Sequence, residues 1–111
     1  MDLPAYNTLA YETAAPHVLL IRLNRPEVRN AFNTAMGREL LDLWTRLTDH
    51  AGDWRCAVLT GAGDQAFCAG ADLKERKGMS REVWRAQHEL FERAFWAHVE
   101  PAGPAPTTIA S

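Results

Sequence analysis

The sequence is short of the features that mark several protein classes. It has two cysteines, Cys56 and Cys68. That is too few for a disulfide framework, so a reducing compartment and a cytoplasmic location are expected. Its longest apolar run, Val18-Leu19-Leu20-Ile21, falls far short of the roughly 18 residues of a membrane span. The start, Met1-Asp2-Leu3-Pro4-Ala5-Tyr6, lacks a basic region followed by an apolar stretch, so neither a signal peptide nor a membrane partner is expected. Basic charge is not in excess: 12 Lys and Arg stand against 14 Asp and Glu, a net charge of −2. Without a basic, aromatic-interleaved patch, no nucleic-acid partner is expected. His17, His50, His88 and His98 show no H-E-x-x-H spacing, so no metal site is expected.

What is present is the composition of a globular domain. Apolar residues make up 47% and charged residues 23% of 111 positions, enough to bury one core. Tyr6 to Thr13 loosely alternates and reads as an edge strand, followed by a turn at Ala14-Ala15-Pro16-His17. Val18 to Leu23 reads as a buried strand, broken by Asn24-Arg25-Pro26-Glu27. Asn33 is placed to cap a helix in which Met36, Leu40, Leu43, Trp44 and Leu47 recur on one face to about His50. Cys56 to Thr60 reads as a short strand of parallel type. Gly61 to Gly78 reads as a long loop, and loops of that length are usually functional or disordered. Ser80 is placed to cap a second helix, reaching about Val99. Its lines Val83, Gln87, Leu90, Ala94 and Trp84, Phe91, Phe95 give it a broad apolar face. Pro101, Pro104 and Pro106 end it, and Thr107 to Ser111 begins a further strand. The order β-β-α-β-loop-α-β predicts an α/β fold with a mostly parallel sheet and two crossover helices.

The informative segment is Thr60-Gly61-Ala62-Gly63-Asp64-Gln65-Ala66-Phe67-Cys68-Ala69-Gly70-Ala71-Asp72-Leu73-Lys74-Glu75. Gly61 to Ala66 fits the dinucleotide pattern G-x-G-x-x-G/A, but that fingerprint opens a helix directly. Here Phe67-Cys68-Ala69-Gly70 intervenes, and the region around Glu82 has a helical pattern where that fold needs a second strand. The segment fits better as a loop of backbone donors. Small residues at Ala69, Gly70 and Ala71 let main-chain N–H groups approach a ligand and stabilise a developing oxyanion. A plain Gly-rich surface turn is the competing reading, with Phe67 as its anchor in the core. Cys68 has no His partner at a telling spacing and reads as a small buried thiol. Cys56 reads as core. Glu82, Glu89 and Glu92 read as a solvated helix face. Trp84, Phe91, Phe95 and Trp96 read as core, or as a face left uncovered.

Three blocks carry a resemblance: Leu23-Asn24-Arg25-Pro26-Glu27-Val28-Arg29-Asn30-Ala31-Phe32, Arg55 to Gly61, and Ala66 to Glu75. In this order and spacing they resemble the opening of the enoyl-CoA hydratase/isomerase family, the crotonase superfamily. The resemblance covers Thr8 to Ser111 and implies a partial crotonase-like ββα spiral fold. Residues 1–111 would be the incomplete N-terminal part of such a domain.

The resemblance implies an acyl-CoA thioester partner. Coenzyme A would be part of the substrate, and no separate cofactor is expected. It implies that the N–H of Ala71 is the first of two oxyanion donors. It also implies that the carbonyls of Ala69 and Leu73 meet the adenine amino group, that Asp72 and Lys74 flank that site, and that Ala31 touches the bent CoA chain. Arg29 is a candidate phosphate neighbour or simply a solvated arginine. The implied reaction is hydration of a trans-2-enoyl-CoA through an enolate-like state. Isomerase, hydrolase, dehalogenase and decarboxylase chemistry are the alternatives within the fold, and a non-catalytic binding or interaction module lies outside it. The second donor and the two hydratase glutamates would fall beyond Ser111, so no turnover by these residues alone is expected. The family assembles as homotrimers or hexamers, which implies such a partner without fixing it for this chain.

Overall fold

A computed structural model describes residues 3–50, 52–95 and the backbone of 107–110. Four strands form one sheet in the order β1-β2-β3-β4. β1 (Leu9–Ala15) runs antiparallel to β2 (Val18–Leu23), which is parallel to β3 (Cys56–Gly61). β3 is parallel to β4 (Thr107–Ala110). Two of the three pairings are parallel, in line with the predicted sheet. Each parallel connection passes through helix, as parallel neighbours require.

The β2–β3 register sets the core. Leu19 pairs with Ala57, Ile21 with Leu59 and Leu23 with Gly61. Period-two alternation turns Leu19, Ile21, Leu23, Ala57 and Leu59 to one face, where all are buried. α1 (Thr34–Asp49) covers that face with Met36, Leu40, Leu43, Trp44 and Leu47. Asn33 caps it as expected, its side chain accepting from the Met36 N–H at 2.8 Å. Val18, Leu20, Cys56 and Val58 alternate to the other face and are half-buried. Cys56 is therefore not a core residue, because its register puts it opposite Val18 rather than under α1.

α3 (Arg81–Ala94) packs on α1, capped by Ser80 through the Val83 N–H. Gly37 allows the approach: a Cβ there would stand 3.0 Å from the Phe91 ring. Phe32 meets Phe91 edge-on at 4.7 Å between centroids, and the Trp44 indole N–H donates to the Ala94 carbonyl at 2.6 Å. The predicted apolar face of α3 is only partly used. Gln87 and Ala94 are buried, while Val83 is 53% and Trp84 41% exposed. Near the start of α3 the Arg76 guanidinium stands over the Trp84 ring, 5.4 Å from its centroid, and the rest of that face is open. Glu82, Glu89 and Glu92 are exposed, as expected. The expected extension of this helix to Val99, with Trp96, lies outside the described residues.

Other boundaries differ. β1 starts at Leu9 rather than Tyr6 and continues through Ala14 and Ala15. A register shift between Thr13 and Ala15 absorbs the irregularity, and the turn narrows to Pro16-His17, with His17 at φ 63°. The long loop after β3 is interrupted by a four-residue helix, α2 (Leu73–Arg76). Among the described residues no helix is long and apolar enough to cross a membrane.

Candidate active site

Two segments meet beyond the ends of β2 and β3. The first runs from Asn24 to Asn33 and contains a single 3-10 turn, Pro26–Val28. Arg29 and Asn30 follow in the left-handed region at φ 54° and 58°, a conformation that asparagine tolerates better than most residues. The turn reverses the chain so that Phe32 passes beside the second segment, Ala62 to Asp72.

Asn30 is the polar centre of this junction. It is 1% exposed. Its Oδ1 accepts from the Arg25 N–H at 2.8 Å, and its Nδ2 donates to the carbonyls of Ala62 and Ala66, each at 3.0 Å. One buried side chain thus satisfies three backbone groups that lack strand partners. Phe67 is half-buried against the core, 6.3 Å from the Phe95 ring, which is the anchoring role expected of it.

Further along, the two segments form a one-residue parallel bridge, Phe32 with Ala71. The Phe32 N–H donates to the Gly70 carbonyl at 2.8 Å, and the Asp72 N–H donates to the Phe32 carbonyl at 3.0 Å. In a parallel ladder the residue between two such bonds points its own N–H and C=O the other way. Ala71 is that residue. Its N–H therefore faces away from Phe32, and it has no acceptor among the described residues. Gly70 precedes it at φ 97°, a turn that a side chain would strain.

The other expected site residues sit close by. Ala69 is exposed; its N–H is taken by the Arg29 carbonyl at 3.0 Å. Ala31 is half-buried, and its carbonyl accepts from Arg25 Nη1 at 2.7 Å. Asp72 caps α2: its Oδ1 accepts from the N–H groups of Lys74 and Glu75, and its Oδ2 faces Arg25 Nη1 at 3.1 Å. Partial burial pushes the Asp72 carboxyl up, but the Arg25 guanidinium and the two backbone N–H groups outweigh it. The group is held below the usual carboxylate range. Leu73 is 78% exposed, and its carbonyl accepts the Lys77 N–H at 3.0 Å. Lys74 is exposed. The Arg29 side chain is exposed beside a cleft of about 320 Å³ lined by Pro26, Glu27, Gly63, Asp64 and Gln65.

Sequence reading gave no role to Arg25, Asn30, Glu75 or Gln87. Glu75 Oε1 accepts from the N–H and hydroxyl of Thr34 at 2.9 and 3.0 Å, and from Gln87 Nε2. Gln87, read as one of an apolar line, is instead a buried polar link that also accepts from Arg76 Nε at 2.9 Å. The one local signal was an asparagine ahead of a small residue in a Pro-started turn. The cysteine reading shifts slightly: Cys68 is half-buried, and its sulfur lies 3.4 Å from the Gly70 N–H. The dinucleotide pattern finds no support, since no helix opens until Leu73.

Comparison with known proteins agrees on this region. The family model described as enoyl-CoA hydratase/isomerase matches residues 13–100. The chain is 49% identical over 72 residues to the mevalonyl-coenzyme A hydratase SIDH of Beauveria bassiana, covering 65% of this chain and 25% of that protein. It is 35% identical over 91 residues to a mitochondrial Delta(3,5)-Delta(2,4)-dienoyl-CoA isomerase of Mus musculus, covering 82% and 26%. The crystal structure of an enoyl-CoA hydratase from Bacillus anthracis superposes with a TM-score of 0.82 at 36% identity, over 94% of this chain and 39% of that one. The chain thus spans a quarter to two fifths of the length of these relatives.

Proposed function

The chain belongs to the enoyl-CoA hydratase/isomerase family, and from that premise we propose that its β3–α2 loop is the acyl-CoA-recognising part of a crotonase-type site. Ala71 donates its N–H to the thioester oxygen as negative charge builds there in an enolate-like state. Such a preorganised donor is worth roughly 3–4 kcal/mol in the transition state. The carbonyls of Ala69 and Leu73 take the adenine amino group. Asp72 and Lys74 flank that position, and Ala31 borders the path of the CoA chain.

The observation that carries this reading is the outward N–H of Ala71. The Phe32–Ala71 bridge fixes its direction without using it. A donor that is held still and left free costs little reorganisation when charge appears.

For the whole protein we propose hydration of a trans-2-enoyl-CoA. The name of the Beauveria relative supports hydration, while that of the mouse relative supports isomerisation. Both pass through the same stabilised oxyanion, so the proposal rests first on that shared step. The two carboxylates that follow Ala71 are already engaged, Asp72 by Arg25 and Glu75 by Thr34 and Gln87. Neither is placed as a free acid or base, and these 111 residues are expected to bind acyl-CoA weakly and to hydrate crotonyl-CoA undetectably.

The test is a titration of the 15N-labelled chain with acetyl-CoA and, separately, with CoA. The Ala71 amide should move downfield with the thioester and stay in place with CoA. A spectrum in which Ala71 ignores acetyl-CoA while other loop amides respond would overturn the donor assignment.

A further inference from the structure

Resting on the reading of Ala71 as an oxyanion donor, we infer that Arg25 and Asp72 form a positioning pair, a cross-tie that holds the Phe32–Ala71 bridge and so aims the donor. One nitrogen, Arg25 Nη1, spans both sides of that bridge. It donates to the carbonyl of Ala31, the residue before Phe32, at 2.7 Å. It also meets Oδ2 of Asp72, the residue after Ala71, at 3.1 Å.

Three features make this pair more than a surface contact. Its side chains are only 19% and 16% exposed, so solvent screens it less than an open ion pair. The backbone N–H of Arg25 is itself fixed by Asn30 at 2.8 Å, which anchors the base of the arginine. The second oxygen of Asp72 holds the start of α2 through Lys74 and Glu75, which anchors the aspartate. Each partner is therefore rigid where it leaves the chain, and their bond joins two segments 47 residues apart. The bridge it guards consists of two backbone hydrogen bonds, which by themselves are weak protection against local opening. Asp72 thus acts on the oxyanion through Ala71, not by contact with the substrate.

The test compares the unaltered chain with Arg25→Met and Asp72→Asn by amide hydrogen exchange. Asp72→Asn keeps an oxygen to cap α2 while losing the charge, so it guards against a variant that fails to fold. In both variants the bridge amides of Phe32 and Asp72 should exchange about tenfold faster, while Ile21 and Leu40 amides keep their protection. Arg25→Lys should recover only part of the protection, because the lysine ammonium sits one bond short of the place Nη1 reaches. The downfield shift of Ala71 with acetyl-CoA should shrink in step. Unchanged exchange at Phe32 and Asp72 in both variants overturns the pair, even if acetyl-CoA binding weakens. Faster exchange there, in a chain whose Ala71 never responds to acetyl-CoA, upholds the cross-tie and overturns only the donor reading.

Discussion

A Cβ on Gly61 would stand 2.7 Å from Nδ2 of Asn30. The last residue of β3 and the buried asparagine of the facing segment approach so closely that no side chain fits between them. The same Cβ would lie 2.5 Å from the carbonyl oxygen of Phe67 and 2.6 Å from that of Ala66. These are backbone atoms that cannot rotate aside. Gly61→Ala should therefore cost about 1–3 kcal/mol in urea unfolding, the range for forcing atoms into a packed site. Gly52→Ala is the control, since nothing lies within 4 Å of a Cβ there. Equal stability of the two variants would contradict the tight junction.

Asn30 contributes in two separable ways, through its left-handed backbone at φ 58° and through its side-chain bonds. Asn30→Gly keeps the first and removes the second. Three partly buried backbone groups then lose their partner, and the expected loss is about 1–3 kcal/mol. Asn30→Ala should lose more, because it adds the strain of a left-handed alanine. Urea midpoints of the two variants, read together, give each contribution. If Asn30→Gly matches the unaltered chain, the hydrogen bonds carry little.

Periodicity reports which face is buried, and on that basis most of the fold was legible. The apolar run Val18 to Ile21 marked a buried strand, though not which of its residues face the core, and Met36, Leu40, Leu43 and Leu47 repeat at helical spacing, with Asn33 as a cap. The short helix Leu73–Arg76 was not legible, because four residues carry no period. Gln87 sat on an apolar line yet proved to be a buried polar link. Its partners Thr34 and Arg76 lie 53 and 11 residues away. Ala71 came from a motif, but its outward N–H depends on Phe32, 39 positions earlier by their numbers. Bonds between distant segments have no local signature, and the site is built mostly from them.

Acid should act on the junction through Asp72. Its pKa in the folded chain lies below the usual carboxylate value, so the folded state binds fewer protons than the unfolded one. The stabilisation is then complete above the ordinary carboxylate value of 3.8 and is lost as pH falls through the folded value. Between about pH 5 and pH 2 the unaltered chain should lose more stability than Asp72→Asn, which has no proton to gain there. Urea midpoints across that range measure the difference. Parallel curves would mean that the carboxylate contributes nothing through Arg25.

Ala71→Pro separates the donor from the fold. Proline lacks the N–H and, in an extended segment, costs stability mainly where that N–H was bonded. At Ala71 it is not. The bonds that form the bridge belong to Phe32 and Asp72, and proline leaves both donors in place. The variant should therefore unfold within about 1 kcal/mol of the unaltered chain and keep the protected amides of Phe32 and Asp72. On the proposed reading of Ala71, losing one oxyanion donor should lower kcat for acyl-CoA turnover by about a hundredfold to a thousandfold. An unchanged kcat in a stably folded variant would remove Ala71 from the reaction. A large loss of stability would instead mean that the ring, its fixed φ or its restriction of Gly70 disturbs the bridge.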